Sequence, residues 1–297
     1  MPSSPQPYDT LRSAARYVRR FRNRIFVIKL GGEILDDPQL RRNVCGQLAL
    51  LWGFSIPVVV VHGGGTGLDA LCKATGLPVE KAAGRRITPP GVLDAAKMTF
   101  RRLQMDLVAD LEATGIPAVG ISGVDSGLVQ GRKRPPVAVD GQMVDYGLVG
   151  DVTGVDPSLL RHLIAGNFVP VVAPFSVDDS GQILNTNADT VAAEIAIALK
   201  VEKLFFMLKV PGLLADATDP SSLVPFADLA RLDAMEETGA IKAGMRPKLT
   251  AARKALNAGV NSVHLVSGVL PDAILAEVFT NEGSGTMIAL QSAQETL

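Results

Sequence analysis

The chain has 297 residues, of which 47% are hydrophobic and 20% charged, and its net charge is −1. That balance excludes a disordered chain and gives no overall attraction to nucleic acid or to a membrane surface. Two cysteines and three well-separated histidines exclude a disulfide framework and a zinc cluster, and no apolar run reaches the roughly 18 residues of a membrane span.

The expected compartment is the cytoplasm, and no protein-held metal is expected. The length allows one large α/β domain or two lobes. Residues 1–7 hold three prolines. From Tyr8 to Arg24 the chain has six arginines and a single acid, Asp9. Leu11, Ala14, Ala15, Val18 and Phe21 recur at helical spacing and make an apolar stripe. An Arg-rich, acid-poor amphipathic segment reads either as a transit peptide or as a helix that docks on another subunit. The helix runs straight into the first strand with no processing linker, which favours docking.

Ile25-Phe26-Val27-Ile28 reads as a strand and empties into Lys29-Leu30-Gly31-Gly32. Val58-Val59-Val60-Val61 is a buried parallel strand and empties into His62-Gly63-Gly64-Gly65. Glycines after a strand expose backbone N–H groups with no Cβ in the way, which suits an anionic phosphate. Two such loops, one carrying a lysine, point to a phosphorylated nucleotide. The spacing fits neither a P-loop nor a dinucleotide fingerprint, since Ala70 stands where the latter needs its third glycine. An esterase reading of His-Gly-Gly-Gly fails because Gly120-Ile121-Ser122-Gly123-Val124 lacks the last glycine of a nucleophile elbow.

Beyond these loops the pattern predicts a helix over 92–114 ended by Gly115, a strand at 117–121 and short antiparallel strands within 126–152, with a turn at Tyr146-Gly147. A helix at 157–166, a strand at 168–173, a turn at 178–181, an alanine-rich helix at 188–199 and a strand at 204–208 follow. The last elements are a helix near 247–258, a strand at 263–266 and a helix at 271–279. Alternating strands and helices predict a mainly parallel sheet covered on both faces. Polar residues gather where such a sheet places ligands: Gly84-Arg85-Arg86-Ile87-Thr88, Asn185-Thr186-Asn187-Ala188-Asp189 and Gly244-Met245-Arg246-Pro247-Lys248. Taken singly, Asp189 reads as a helix-start carboxylate and Lys248 as a solvated lysine. Arg86 offers a planar fork for a carboxylate.

In order and spacing, IKLGG at 28–32, VHGGG at 61–65, GRRIT at 84–88, NTNADT at 185–190, VPGLL at 210–214, GMRPK at 244–248 and EVFTNEGSGTMI at 277–288 resemble the amino acid kinase family, and within it the arginine-sensitive N-acetylglutamate kinases. The resemblance implies a three-layer αβα sandwich around a mainly parallel sheet, preceded by an N-terminal helix. It implies an oligomerisation helix at 1–23, an N-lobe at 24–199 for the amino-acid substrate and phosphoryl transfer, and a C-lobe at 200–297 for nucleotide and arginine. The implied reaction moves the γ-phosphoryl group of ATP, carried with Mg²⁺, onto the side-chain carboxylate of N-acetyl-L-glutamate in arginine synthesis. Lys29, Lys248 and Asp189 would be catalytic, and Gly64, Gly65, Arg86 and Asn185 would bind substrate. Gly31, Gly32, Lys209 and Gly212 would bind ATP. Tyr17, His264, Glu277 and Gly283 would hold inhibitory L-arginine in a homohexamer built as a trimer of dimers.

Three departures stand out. Leu208-Lys209 replaces the usual Ser/Thr-Asp before Val-Pro-Gly, although related nucleoside monophosphate kinases carry a lysine there. Lys97 to Asp106, with Arg101 and Arg102, lacks the usual Gly- and Asn-containing segment, and Ala243 replaces a common glycine. Another acylated amino acid such as N-succinylglutamate, or a weakly catalytic arginine-binding relative, stays open, as does the plain reading of Glu277 as a solvated helix residue.

Overall fold

The structure, a computed structural model, describes residues 7–216, 218–219, 221–242 and 244–290, without the side chains of residues 7–11 and 13. Leu11's side chain, Ala243 and the first six residues therefore lie outside the described part. The elements in order are α1 (Pro7–Phe21), β1 (Phe26–Leu30), α2 (Gly32–Leu35), α3 (Pro38–Gly53), β2 (Val58–His62), α4 (Gly65–Ala74), β3 (Lys81–Ala82), β4 (Arg85–Arg86) and α5 (Pro90–Glu112). They continue with β5 (Ala118–Ser122), β6 (Val129–Lys133), β7 (Val137–Val139), β8 (Gln142–Val144), β9 (Gly150–Val155), α6 (Ser158–Ala165), β10 (Val169–Ala173), β11 (Phe175–Val177) and β12 (Ile183–Asn185). The chain closes with α7 (Ala188–Leu199), β13 (Lys203–Leu208), β14 (Phe226–Ala227), α8 (Leu229–Glu237), α9 (Arg246–Asn257), β15 (Ser262–Ser267), α10 (Ala273–Phe279) and β16 (Thr286–Ile288).

The main sheet has eight strands in the order β14-β16-β15-β13-β1-β2-β10-β5. Its pairings are parallel except for β15 with β16. The strands read as apolar runs because both faces are covered. Alternation along each strand then splits the core in two. Val27, Val59, Val61, Leu204 and Phe206 join α6, α7, α8 and α9 on one face, while Phe26, Ile28, Val58, Val60, Phe205 and Met207 join α1, α3, α5 and α10 on the other. This is the expected three-layer αβα sandwich with its N-terminal helix. A separate cluster links α4, the start of α5 and Phe175.

The short strands expected within 126–152 form part of a second sheet, β12-β11-β6-β9, and the β7–β8 hairpin. At the Tyr146-Gly147 turn, Gly147 has φ +69°, and a Cβ there would stand 2.5 Å from the Thr88 carbonyl oxygen. The apolar stripe of α1 divides: Phe21 is buried against Phe26 in the core, while Ala14, Ala15 and Val18 are half-buried.

Candidate functional site

Neighbouring parallel strands bring the two glycine loops together. Leu30 lies level with His62, and the Gly63 amide donates to the Leu30 carbonyl at 2.8 Å. A Cβ on Gly32 would stand 3.1 Å from the Gly64 Cα, and one on Gly64 would press into the Phe100 ring. Glycine at both positions lets one loop approach the other and α5 without displacing either.

At the mouth of the loops three charged groups meet. Lys29 is buried near the end of β1, and its Nζ lies 3.0 Å from Asp189 Oδ1. The Lys248 Nζ donates to Asp189 Oδ2 at 3.2 Å. Asp189 sits in the first turn of α7, whose start is capped by the Asn187 side chain accepting from the Thr190 amide at 3.0 Å. Lys248 is in the first turn of α9, with Pro247 beside it. Burial alone would raise the Asp189 pKa, but the two ammonium groups outweigh it and hold the carboxyl below its usual range. Two lysines on one aspartate leave a net positive charge. The simple readings fail here: Asp189 is no mere helix-start acid, and the Lys248 side chain is 17% exposed and ion-paired.

Gly64, Gly65, Arg86 and Asn185 line one cavity of about 250 Å³ that also touches Ala188, next to Asp189. The Asn185 Nδ2 donates to Thr88 Oγ1 at 3.1 Å. Arg86 donates through Nη2 to the Gly65 carbonyl and to Asp69, while its buried Nη1 has no partner. Of the departing segment Lys97 to Asp106, Phe100 lines the cavity, and Arg101 instead donates to the Gly120 carbonyl at 3.3 Å. Gly31 caps α2 and Gly32 opens it. Lys209 follows β13, beside β1 in the sheet, and is exposed. Gly212 has a packing reason of its own, since a Cβ there would stand 2.6 Å from Thr286 Oγ1.

Tyr17, His264, Glu277 and Gly283 also meet, around a second cavity of about 1190 Å³. The reading of Glu277 as a solvated helix residue is overturned, because its side chain is 4% exposed. Its Oε1 lies 2.6 Å from His264 Nδ1, and its Oε2 accepts from the Ser284 and Gly285 amides at 2.7 and 2.9 Å. Gly283 has φ +68° in the turn that wraps this carboxylate. Burial would raise the Glu277 pKa, but the hydrogen bonds and the His264 contact bring it down to about 2. Burial pushes His264 down to about 4, so its ring is neutral at pH 7. An ionised Glu277 then requires Nδ1 to carry the hydrogen, and Nε2 accepts from Lys203 Nζ at 2.9 Å. The Tyr17 hydroxyl donates to Asn281, tying α1 to the segment after α10.

Lys203 lines this cavity and was not singled out by sequence. Its signal was present: a lysine that opens an otherwise apolar strand. Burial pushes its pKa down to about 8. Among the described residues no group of three or more His, Cys, Asp or Glu is placed to hold a metal ion, and none forms a helix long and apolar enough to cross a membrane.

Comparison with known proteins agrees with this architecture. An acetylglutamate kinase of Myxococcus xanthus is 60% identical over 99% of this chain and 98% of its own length. The chloroplastic acetylglutamate kinase of Arabidopsis thaliana is 36% identical over 97% of this chain and 81% of its own. Among solved structures, an N-acetylglutamate synthase of Neisseria gonorrhoeae complexed with coenzyme A and N-acetyl-glutamate superposes with a TM-score of 0.84 at 24% identity. That alignment covers 97% of this chain and 64% of the synthase, and at such identity it speaks for the fold alone. A profile described as the amino acid kinase family matches residues 24–267. With that match spanning most of the sheet and a relative this similar from end to end, the chain belongs to the amino acid kinase family.

Proposed function

We propose that the protein transfers the γ-phosphoryl group of ATP to the side-chain carboxylate of N-acetyl-L-glutamate, in the cytoplasm, as a step of arginine synthesis. The observation that carries this reading is the pair of lysines held by one buried aspartate beside two apposed glycine loops. The name acetylglutamate kinase, borne by the Myxococcus xanthus relative, supports the substrate.

In this reaction a carboxylate oxygen attacks the γ-phosphorus while the bond to the β–γ bridging oxygen breaks, leaving ADP and an acyl phosphate. A carboxylate is already a nucleophile, so no general base is needed. Both reactants are anions, so catalysis rests on positioning and on positive charge at the transferring group. Lys29 neutralises the phosphoryl oxygens, Lys248 the leaving side, and Asp189 keeps both in place. Gly31, Gly32, Gly64 and Gly65 offer amides, and Arg86 and Asn185 take the carboxylate that does not react. Lys209 and Gly212 flank the nucleotide. Asp189 is occupied by lysines and the described residues offer no carboxylate ligand set, so magnesium would arrive on the triphosphate. Residues 24–199 would serve the amino acid and phosphoryl transfer, and residues 200–297 nucleotide and regulation.

We further propose that L-arginine inhibits the enzyme from the cavity shared by Tyr17, His264, Glu277 and Gly283, and that the helix within residues 1–23 links three dimers into a hexamer. The support is that a helix remote in sequence lines the same cavity as a buried carboxylate.

An ADP-release assay with N-acetyl-L-glutamate, N-succinyl-L-glutamate and free glutamate tests the reaction, with hydroxylamine to trap the acyl phosphate. Turnover is expected with the acetylated substrate above the others. Preference for the succinyl compound would shift the substrate, and absence of turnover with all three would leave only a regulatory arginine binder.

A further inference from the structure

One acid beneath the substrate cavity has no role in the reading above. Asp69 lies on α4, and its Oδ2 accepts from Lys81 Nζ at 2.8 Å while its Oδ1 accepts from Arg86 Nη2. Lys81 and Arg86 face each other across the two-stranded β3–β4 pair. A single carboxylate therefore fastens both strands of this small hairpin to the helix that starts at the glycine loop. The Arg86 side chain is 8% exposed and Asp69 23%, so their contact is shielded from water. Burial raises the Asp69 pKa, yet the hydrogen bonds from Lys81 and Arg86 prevail and keep it below the usual carboxylate value.

The guanidinium is fixed from one side only. Nη2 is engaged by Asp69 and by the Gly65 carbonyl at 3.1 Å, whereas Nη1 is buried without a partner. A buried, unpaired charged donor is costly unless something arrives to meet it. We propose that Asp69 is a positioning residue for the acylated amino acid: it fixes the Arg86 guanidinium so that its free nitrogen meets the substrate carboxylate, and through Lys81 it holds the hairpin against α4. This rests on the reading of Arg86 as a substrate contact. Preorganisation of this kind acts on substrate binding, because the fork need not be ordered when substrate arrives. Asp69 is paired with Lys81 and Arg86 and with neither lysine assigned to phosphoryl transfer, so its effect belongs to KM for the amino acid.

Steady-state kinetics on the full chain test this with Asp69→Asn, Asp69→Glu, Arg86→Lys and the double variant Asp69→Asn/Arg86→Lys. Asp69→Asn is expected to raise KM for N-acetyl-L-glutamate roughly 10- to 100-fold, the range for losing a charged hydrogen bond. KM for ATP and kcat should stay within about two-fold, since Lys29 and Lys248 are held by Asp189 and not by Asp69. Asp69→Glu keeps the charge and should recover part of the loss. The double variant should be little worse than the worse single one, because Asp69 acts through Arg86. Multiplicative effects in the double variant, or equal rises in KM for both substrates, would overturn the proposal. Should Asp69→Asn fold poorly, the same comparison is made with Asp69→Ser, which also removes the charge, and an unchanged KM for the amino acid overturns it. An Arg86→Lys variant with wild-type KM would instead overturn the reading of Arg86 on which the proposal stands.

Discussion

At the scale of single residues, charge decides what the site does. Lys29→Ala or Lys248→Ala should lower turnover by roughly 10²-fold or more, the scale for losing one donor to developing charge. Each change also leaves Asp189, which is 5% exposed, with one cation in place of two. Near-normal turnover in either variant, followed by ADP release, would remove that lysine from the chemistry. The histidines act on stability. Burial lowers both His62 and His264 from 6.5 to about 4 in the folded chain. Between those values the unfolded chain binds more protons, so stability is intact above pH 6.5 and is lost as pH falls through about 4. Each histidine contributes up to roughly 3 kcal/mol to this loss. Glu277 moves the other way, from 4.5 to about 2, so its contribution is present above pH 4.5 and disappears only as pH falls through about 2. The urea midpoint should therefore fall between pH 6.5 and 4, and a flat midpoint across that interval would contradict the burial argument. Lys29 stood out in the sequence through its glycine loop, whereas Asp189 and Lys248 each read alone as an ordinary helix-start residue and were joined to it by the family resemblance. Asp69 was not legible, since an acid on a helix gains meaning only when Arg86 and Lys81 fold onto it.

At the scale of elements, the glycine loops carry the tightest geometric demand. Gly64→Ala would bring a Cβ within 2.7 Å of the Phe100 Cε1 and 3.1 Å of the Leu103 Cδ1. Relieving this means moving α5 away from the β2–α4 turn, at a cost of about 1–3 kcal/mol in stability. A lowered urea midpoint together with raised KM for the amino acid is the expected result, and an unchanged midpoint would mean that α5 yields freely. The predicted elements with clear periodicity matched the structure closely, and α7 over 188–199 agrees at both ends. Four helices, α2, α3, α4 and α8, had no explicit counterpart in the sequence reading. For α3 the reason is physical. Its buried face includes Arg41, which pairs with Asp110, and Gln47, whose Oε1 accepts from the Ile274 amide at 2.8 Å. Polar residues that find partners inside the protein erase the apolar period that marks a helix. The strands β11, β12 and β16 span three residues each, too few for alternation to appear.

At the scale of the molecule, the proposed regulation requires that a cavity beside α10 reach the proposed phosphoryl site. The elements between them form one continuous layer: β15 carries His264, β13 lies next to it, and β1 with Lys29 follows. Along that layer Lys203 pairs in register with Ser262 on one side and Phe26 on the other. Under the proposed regulation, arginine bound against Glu277 and Lys203 would act on strands that lead to Lys29, provided it favours one of two arrangements. In the proposed hexamer α1 would couple this cavity to other subunits. Phe21 anchors it in its own core and Tyr17 ties it to Asn281, while the exposed Arg16 and Arg20 line the cavity mouth. The anchoring of Phe21 means that deletion of the whole segment would open the core, so the informative truncation stops before it. Removal of residues 1–19 keeps Phe21 and Arg20 but removes Tyr17 and most of the helix. The expected product is an active dimer by mass, with kcat near that of the full chain and with arginine inhibition weakened at least tenfold, the loss of one hydrogen-bonded contact and of the subunit link. Tyr17→Phe separates the two effects: it should weaken arginine inhibition while preserving the hexamer, because the ring stays and only the hydroxyl is lost. A truncated protein that remains hexameric and fully arginine-sensitive would show that α1 only caps its own subunit.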